Sequence, residues 1–343
     1  MTTHLERELR EQPEALGRLL ERQHDQAERI ASLFRRGDVQ YVLIASRGSS
    51  SNAARYAQYL LGRAHRVPVS FATPSLFTLY AQPPRLDGAL VVGISQSGES
   101  PDVVEVLAEA RRQGRPTVAL TNRPSSPLGA VADEVLALEA GEELAVAATK
   151  TYVNSLGAVA LLFSTATGDG RALDELRRMP ETIADQLERS WADVEALGEL
   201  GGGTVVSRGI NYCTAFEIAL KIRELSGLLV EAYSAADLLH GPVAAIGGGW
   251  PVIAVAPTGP ALAELRQAVG EIERRGARII AVSDDEELCA RAAVALPLVP
   301  GVPEWLSPLV AVVPGQLAAM RLARLRGVDL DNPLGLQKVT LTR

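Results

Sequence analysis

A sequence frame that recurs about 160 residues along the chain constrains the fold more than any other feature. Leu43-Ile-Ala-Ser-Arg-Gly48 is echoed by Thr204-Val-Val-Ser-Arg-Gly209 at an offset of 161, and residues 90–94 by 252–256 at 162. The stretch Arg111-Arg-Gln-Gly-Arg-Pro-Thr-Val-Ala-Leu-Thr121 faces Glu273-Arg-Arg-Gly-Ala-Arg-Ile-Ile-Ala-Val-Ser283 at the same 162. An offset held over several elements indicates two copies of one fold. A chain of 343 residues with 47% hydrophobic side chains is ample for two cores.

Apolar runs at 41–45, 67–71, 90–94, 117–121 and 135–138 read as strands, and helical spacing predicts helices over 53–61, 75–80, 103–113 and 149–165. Strands that alternate with helices imply an α/β fold, a parallel sheet covered on both faces in an αβα sandwich. Two such domains are expected in tandem, at 37–168 and 204–325. A helical lead-in over 1–36 reads as two amphipathic helices separated near Pro13. Residues 169–203 form a helical linker, and 326–343 a tail that completes the site.

Leu90-Val-Val-Gly-Ile-Ser-Gln-Ser-Gly-Glu-Ser-Pro101 is a strand that stops in hydroxyls and opens a helix. Ser100 suits the N-cap and Pro101 the first helical position, so unpaired N–H groups point over Ser95 and Ser97, an arrangement that favours phosphate. An ordinary capped turn has the same residues, and Glu99 and Asp102 oppose an anion; they are expected to face away from it. The loop ends in neither the Gly-Lys-Ser/Thr of a nucleotide loop nor Gly-x-Gly-x-x-Gly, so a small phosphorylated metabolite fits as well as a nucleotide.

A net charge of −7 disfavours nucleic acid and anionic membrane as partners. No uninterrupted apolar run approaches the roughly 18 residues of a membrane span, and the polar N-terminus is no signal peptide. With two cysteines, a reducing cytoplasm is the simplest compartment. Of 34 basic residues only Lys150, Lys221 and Lys338 are lysines. Lysine, unlike arginine, can lose its proton and act as base or nucleophile, so each of the three is a candidate.

The second copy replaces the serine loop by Pro257-Thr-Gly-Pro260 and carries the reactive residues instead. Glu217, Lys221 and Glu224 stand at i, i+4 and i+7 on one helical face. A surface ion-pair stripe has the same spacing. Their helix follows a strand, however, and parallel sheets place ligands at the carboxyl ends of strands. His240, held by Gly241 and Pro242, suits a positioned acid or base. Lys338 lies in a tail whose Pro333, Leu334, Gly335, Leu336 and Val339 allow it to dock, although tails also fray. No histidine or cysteine stands at metal-ligand spacing, so neither metal nor cofactor is expected.

These motifs together resemble the sugar isomerase (SIS) domain family, and within it the isomerase half of glucosamine-6-phosphate synthase. The resemblance runs from Glu11-Gln-Pro13 to Lys338-Val-Thr340. Its most specific pieces are the serine loop, Ala140-Gly-Glu142 with Val146-Ala-Ala-Thr-Lys150, the stretch from Glu217 to Glu224, Glu231-Ala-Tyr233 with His240-Gly-Pro242, and Lys338. It implies two SIS-type domains in which Ser49, Ser50, Ser95, Gln96, Ser97 and Ser100 bind a sugar phosphate, with Val146 and Ala148 among the ligand contacts. By the same resemblance Glu224 moves a proton between C1 and C2, and His240, given by the second subunit of a homodimer, opens the ring. Lys338 meets the open-chain ketose, with Lys221 and Glu217 orienting it and balancing charge.

Two departures are plain: Arg47 and Ala148 stand where the synthase has a cysteine and a serine. No glutaminase segment is expected before this chain, and Thr2 is not a cysteine nucleophile. The type most resembled is therefore the free-standing isomerising glucosamine-6-phosphate deaminase. A deglycase of 6-phosphorylated fructosamines is the nearest alternative, and a non-catalytic phosphosugar-binding regulator a more distant one.

Overall fold

The computed structural model describes residues 2–34, 37–331, 333, 335 and 338. Leu334, Leu336 and Val339, expected to dock the tail, lie outside the described residues. The chain divides into two compact units. One comprises Glu11–Leu144, Ala148–Pro180 and Gln337–Arg343, and the other Met1–Arg10, Ala145–Ala147 and Glu181–Leu336.

The chain opens with α1 (His4–Arg10), α2 (Gln12–Arg22) and α3 (His24–Phe34), three helices where two were expected. Pro13 sits in the first turn of α2, where its missing N–H breaks no helical bond, and a second break falls at Gln23. Helix α1 belongs to the second unit and the other two to the first.

The first unit continues with β1 (Tyr41–Ser46), α4 (Gly48–His65), β2 (Val69–Phe71), α5 (Pro74–Thr78), β3 (Ala89–Ile94) and α6 (Pro101–Arg112). Then come β4 (Thr117–Thr121), α7 (Pro127–Val131), β5 (Glu134–Ala137), α8 (Lys150–Thr167) and α9 (Gly170–Arg177). Helix α4 starts at residue 48, five residues earlier than the apolar spacing suggested. Its serines therefore lie in the first helical turn and not in a loop. The five strands are parallel, in the order β2-β1-β3-β4-β5. Strand β3 is buried throughout, as a central strand covered on both faces must be. Helix α8 is the apolar centre of the helical layer. At its Gly157 an added Cβ would lie 2.4 Å from Leu16 Cδ1, so only a residue without a side chain lets α2 approach this closely.

Helix α10 (Met179–Asp193) contains the division between the units. The second unit then runs β6 (Gly203–Ser207), α11 (Tyr212–Ser226), β7 (Val230–Ser234), α12 (Ala235–Leu239), β8 (Pro251–Val255), α13 (Leu262–Arg274), β9 (Arg278–Ser283), α14 (Glu286–Arg291), β10 (Val294–Pro297) and α15 (Ser307–Leu325). Its strands are parallel in the order β7-β6-β8-β9-β10. The two sheets share one strand order: β1, β3 and β4, the strands of the recurring frame, take the places of β6, β8 and β9.

Helices α11 and α15 pack together so tightly that a Cβ at Gly315 would meet Ile218 Cγ1 at 2.2 Å. The stretch Glu304–Leu325, although interrupted by Glu304, Arg321 and Arg324, is long and apolar enough overall to cross a membrane, but 94% of its most apolar 18-residue window is buried. Such burial is that of a core helix.

Candidate active site

In the first unit the chain leaves β1 for β2 on one side and then returns to β3 on the other. The crevice at the carboxyl ends of β1 and β3 is therefore a topological switch point, where open parallel sheets hold ligands. Ser46 pairs with Ile94 at the last rung of the ladder, so the two hydroxyl-rich segments leave the sheet side by side. The structure thus brings Ser49 and Ser50 to the same edge as Ser95, Gln96, Ser97 and Ser100.

Helix α4 begins at Gly48 with φ +52°, and its N-cap Arg47 gives no side-chain cap. The N–H groups of its first turn have no partner within the helix, and 18 residues of aligned peptide dipole favour an anion there. In the other loop, Ser95 Oγ accepts the Gly98 N–H at 3.1 Å and Ser97 Oγ accepts the Glu99 N–H at 3.3 Å. Each hydroxyl uses an oxygen lone pair to shape the turn and keeps its O–H as a donor. Gly98 has φ +64°, and a Cβ there would collide with Ser126 Oγ at 1.9 Å, so glycine is required for the turn. Ser100 holds the N-cap position expected of it, although its side chain makes no cap bond.

The two acidic residues that opposed an anion are both matched by arginine. Asp102, with its side chain 2% exposed, is gripped by Arg47 through Nε at 2.7 Å and Nη2 at 2.6 Å. Glu99 pairs with Arg123 at 3.0 Å. Arg47, which stands where the resemblance has cysteine, thus neutralises a buried carboxylate beside the α4 N-terminus.

In the second unit Lys221 lies between Glu217 at 3.6 Å and Glu224, to which its Nζ donates a hydrogen bond. The side chains of Glu217 and Lys221 are 0% and 1% exposed, that of Glu224 27%. This is no surface stripe, and of the three only Glu224 can meet a ligand. The trio does not lie at the carboxyl ends of the strands, however. A crossover helix runs antiparallel to its strands, so Glu224, in the last turn of α11, reaches the amino edge of the sheet. The Arg223 guanidinium, bonded to the carbonyl of Val230 at the start of β7, fixes it there.

His240 follows α12, beyond the carboxyl end of β7, and is exposed. After α12 the chain turns back, and Pro242 lines a pocket with Gly203, Leu229 and Trp250 at the amino ends of β6, β7 and β8.

The coil between β5 and α8 carries Val146 and Ala148, both half-buried. Within the second unit, both oxygens of the buried Glu8 accept the Ala145 N–H beside Val146. Within the first, Glu143 is a residue the motifs did not single out. Its Oε1 accepts the N–H groups of Thr149 and Thr151 at 2.9 and 3.1 Å, and Oε2 accepts the Thr151 hydroxyl at 2.7 Å and the Lys338 ammonium at 2.8 Å. Burial pushes the Glu143 carboxyl up, but the charge and hydrogen bond of Lys338, with the hydrogen bonds of Thr151 and Thr149, outweigh it and hold it below the usual carboxylate range. An acidic pair, Glu142-Glu143, in an otherwise small and apolar stretch ahead of a helix was the available signal. Lys150, by contrast, is buried and bound to the Glu11 carboxylate and the Glu142 carbonyl, a structural role. Among the described residues no group of histidine, cysteine and acidic side chains is placed to hold a metal ion.

Comparison with known proteins matches the SIS domain model to residues 29–165 and 204–326. The glutamine–fructose-6-phosphate aminotransferase (isomerizing) of Pyrococcus horikoshii is 35% identical over 342 residues, 97% of this chain and 56% of that protein. The chain thus spans little more than half the length of such relatives. The C-terminal domain of the glucosamine-fructose-6-phosphate aminotransferase of Francisella tularensis superposes with a TM-score of 0.86 at 27% identity, over 97% of this chain and 99% of that one. A glucosamine-6-phosphate deaminase of Thermotoga maritima shares the fold, with a TM-score of 0.81 at 21% identity over 99% and 100% of the two chains.

Proposed function

Because this chain belongs to the SIS domain family, we propose that it binds a 6-phosphorylated amino sugar and moves a proton between C1 and C2, converting glucosamine 6-phosphate and water to fructose 6-phosphate and ammonia. The observation that carries this is the contrast within α11: a buried cation and carboxylate support one accessible carboxylate, Glu224. That is what a general base needs, a defined orientation and access to substrate.

The residues take these roles. The α4 N-terminus with Ser49 and Ser50, and the hydroxyls of Ser95, Ser97 and Ser100 with Gln96, hold the phosphate, with Val146 and Ala148 beside the sugar. His240 opens the ring. Glu224 then takes the C2 proton to give an enaminol, and protonation at C1 leaves an imine at C2. Water adds to that imine and ammonia departs, leaving the ketone. Lys338 contacts the open-chain sugar, and Lys221 and Glu217 hold Glu224. No step calls for a metal or cofactor. By the family resemblance, His240 reaches the site from the second copy of a homodimer.

Incubation with glucosamine 6-phosphate should yield ammonia and fructose 6-phosphate in equal amounts. No release of either sinks the deaminase reading; free amino acid released from a 6-phosphorylated fructosamine instead would establish the deglycase.

Ser97→Ala tests the anchor. Loss of one hydroxyl donor to a charged phosphate costs about 1.5–3 kcal/mol, so KM should rise ~10-fold or more. The fold should hardly notice, since the hydroxyl makes a single 3.3 Å turn bond. An unchanged KM would remove Ser97 from the site.

A further inference from the structure

Glu143 is a carboxylate with 0% side-chain exposure, and buried carboxylates persist only where donors surround them. Its two oxygens divide the work. Oε1 accepts two backbone N–H groups at the start of α8, whose N-cap Thr149 offers no side-chain cap of its own, so Glu143 serves as the cap from outside the helix. The positive end of an 18-residue helix adds to that stabilisation. This much is structural and would be complete without a lysine.

Oε2 does something different. Besides the Thr151 hydroxyl it takes the ammonium of Lys338, 195 residues along the chain, in a charge-assisted bond of 2.8 Å. Lys338 keeps 25% of its side chain exposed, whereas Lys150 and Lys221 are 2% and 1% exposed as residues. A tail lysine is thereby tied to a fixed carboxylate while one flank stays open to solvent. The helix cap gives that carboxylate no freedom to follow the lysine, so the lysine must come to it.

We propose that Glu143 is a positioning residue: fixed by the first turn of α8, it holds the Lys338 side chain of the C-terminal tail where that side chain meets the substrate. This rests on the role given to Lys338 above, and a misplacement of even about 1 Å in such a group costs on the order of 100-fold in rate.

Glu143→Gln separates the two roles. The glutamine carbonyl can still accept the N–H groups of Thr149 and Thr151, and the Thr151 hydroxyl can turn to accept from the amide, so the helix cap survives. The amide nitrogen, a donor, turns Lys338 away. The expected result is a melting temperature within a few degrees of the parent and a kcat lowered about 10- to 100-fold with KM changed far less. In a Lys338→Ala background the same change should have no further effect, because its partner is already gone. Effects that multiply in the double variant, or a kcat that Glu143→Gln leaves intact, would overturn the proposal.

A second measurement needs no substrate. Trace acetylation with acetic anhydride, mapped by mass spectrometry, should label Lys338 several-fold faster in Glu143→Gln, with the buried Lys150 and Lys221 as internal references. Should glucosamine 6-phosphate prove inert, the deaminase reading falls and the labelling still decides: a faster Lys338 supports the tether, and an unchanged one overturns it.

Discussion

Glu224→Gln is expected to lower kcat for ammonia release by at least about 1000-fold while leaving phosphosugar affinity within a few-fold of the parent. A positioned general base contributes about 100- to 10,000-fold, and here the same proton must leave C2 for any product to form. Glutamine keeps the volume and the acceptor oxygen facing Lys221 but cannot take a proton. The proposed phosphate anchor lies on other elements, the start of α4 and the loop before α6. Binding measured by titration calorimetry and turnover by ammonia assay should therefore separate. A variant that turns over within tenfold of the parent would show that Glu224 is not the base. Equal loss of binding and rate would instead mean that Glu224 holds the sugar in its ground state.

The separation of anchor from base follows from the way the chain is written. The offset of about 160 residues gave the architecture because equivalent strands must occupy equivalent places, and β1, β3 and β4 match β6, β8 and β9. The start of α4 was not legible. Ser49, Ser50 and Ser51 are residues that compete with helix through their own side chains, and nothing apolar marks the first turn. The pairing of Asp102 with Arg47 was equally hidden, because it depends on two segments, 55 residues apart, leaving neighbouring strands together.

Helical spacing put Glu217, Lys221 and Glu224 on one face, and that face is indeed shared. The same spacing says nothing about which end of the sheet the face serves. That is set by the antiparallel course of a crossover helix, which carries Glu224 to the amino edge of the sheet. Glu143 escaped notice for a related reason. Its meaning comes from Lys338, a partner that sequence distance cannot supply.

Lys221→Met should be the most destabilising of these substitutions. Lys221 is 1% exposed and stands between Glu217, itself 0% exposed, and Glu224. Methionine fills a similar volume, so packing of α11 on α15 is nearly conserved, and the loss is electrostatic. Removing one partner of a buried ion pair typically costs about 3–5 kcal/mol, because the opposite charge stays buried without its counterion. For a unit of this size that is about 10 °C in melting temperature. Replacing both members, Lys221→Met with Glu217→Gln, removes the stranded charge as well, and should recover a good part of the stability without restoring activity. Thermal unfolding of the three proteins checks this. A single variant as stable as the parent would mean that Lys221 is dispensable to the fold, and a double variant less stable than the single would mean that Glu217 owes its burial to something other than the lysine. The expected order makes a physical point about α11: if its buried pair serves to hold Glu224 in place, the fold alone should tolerate replacement of both members together.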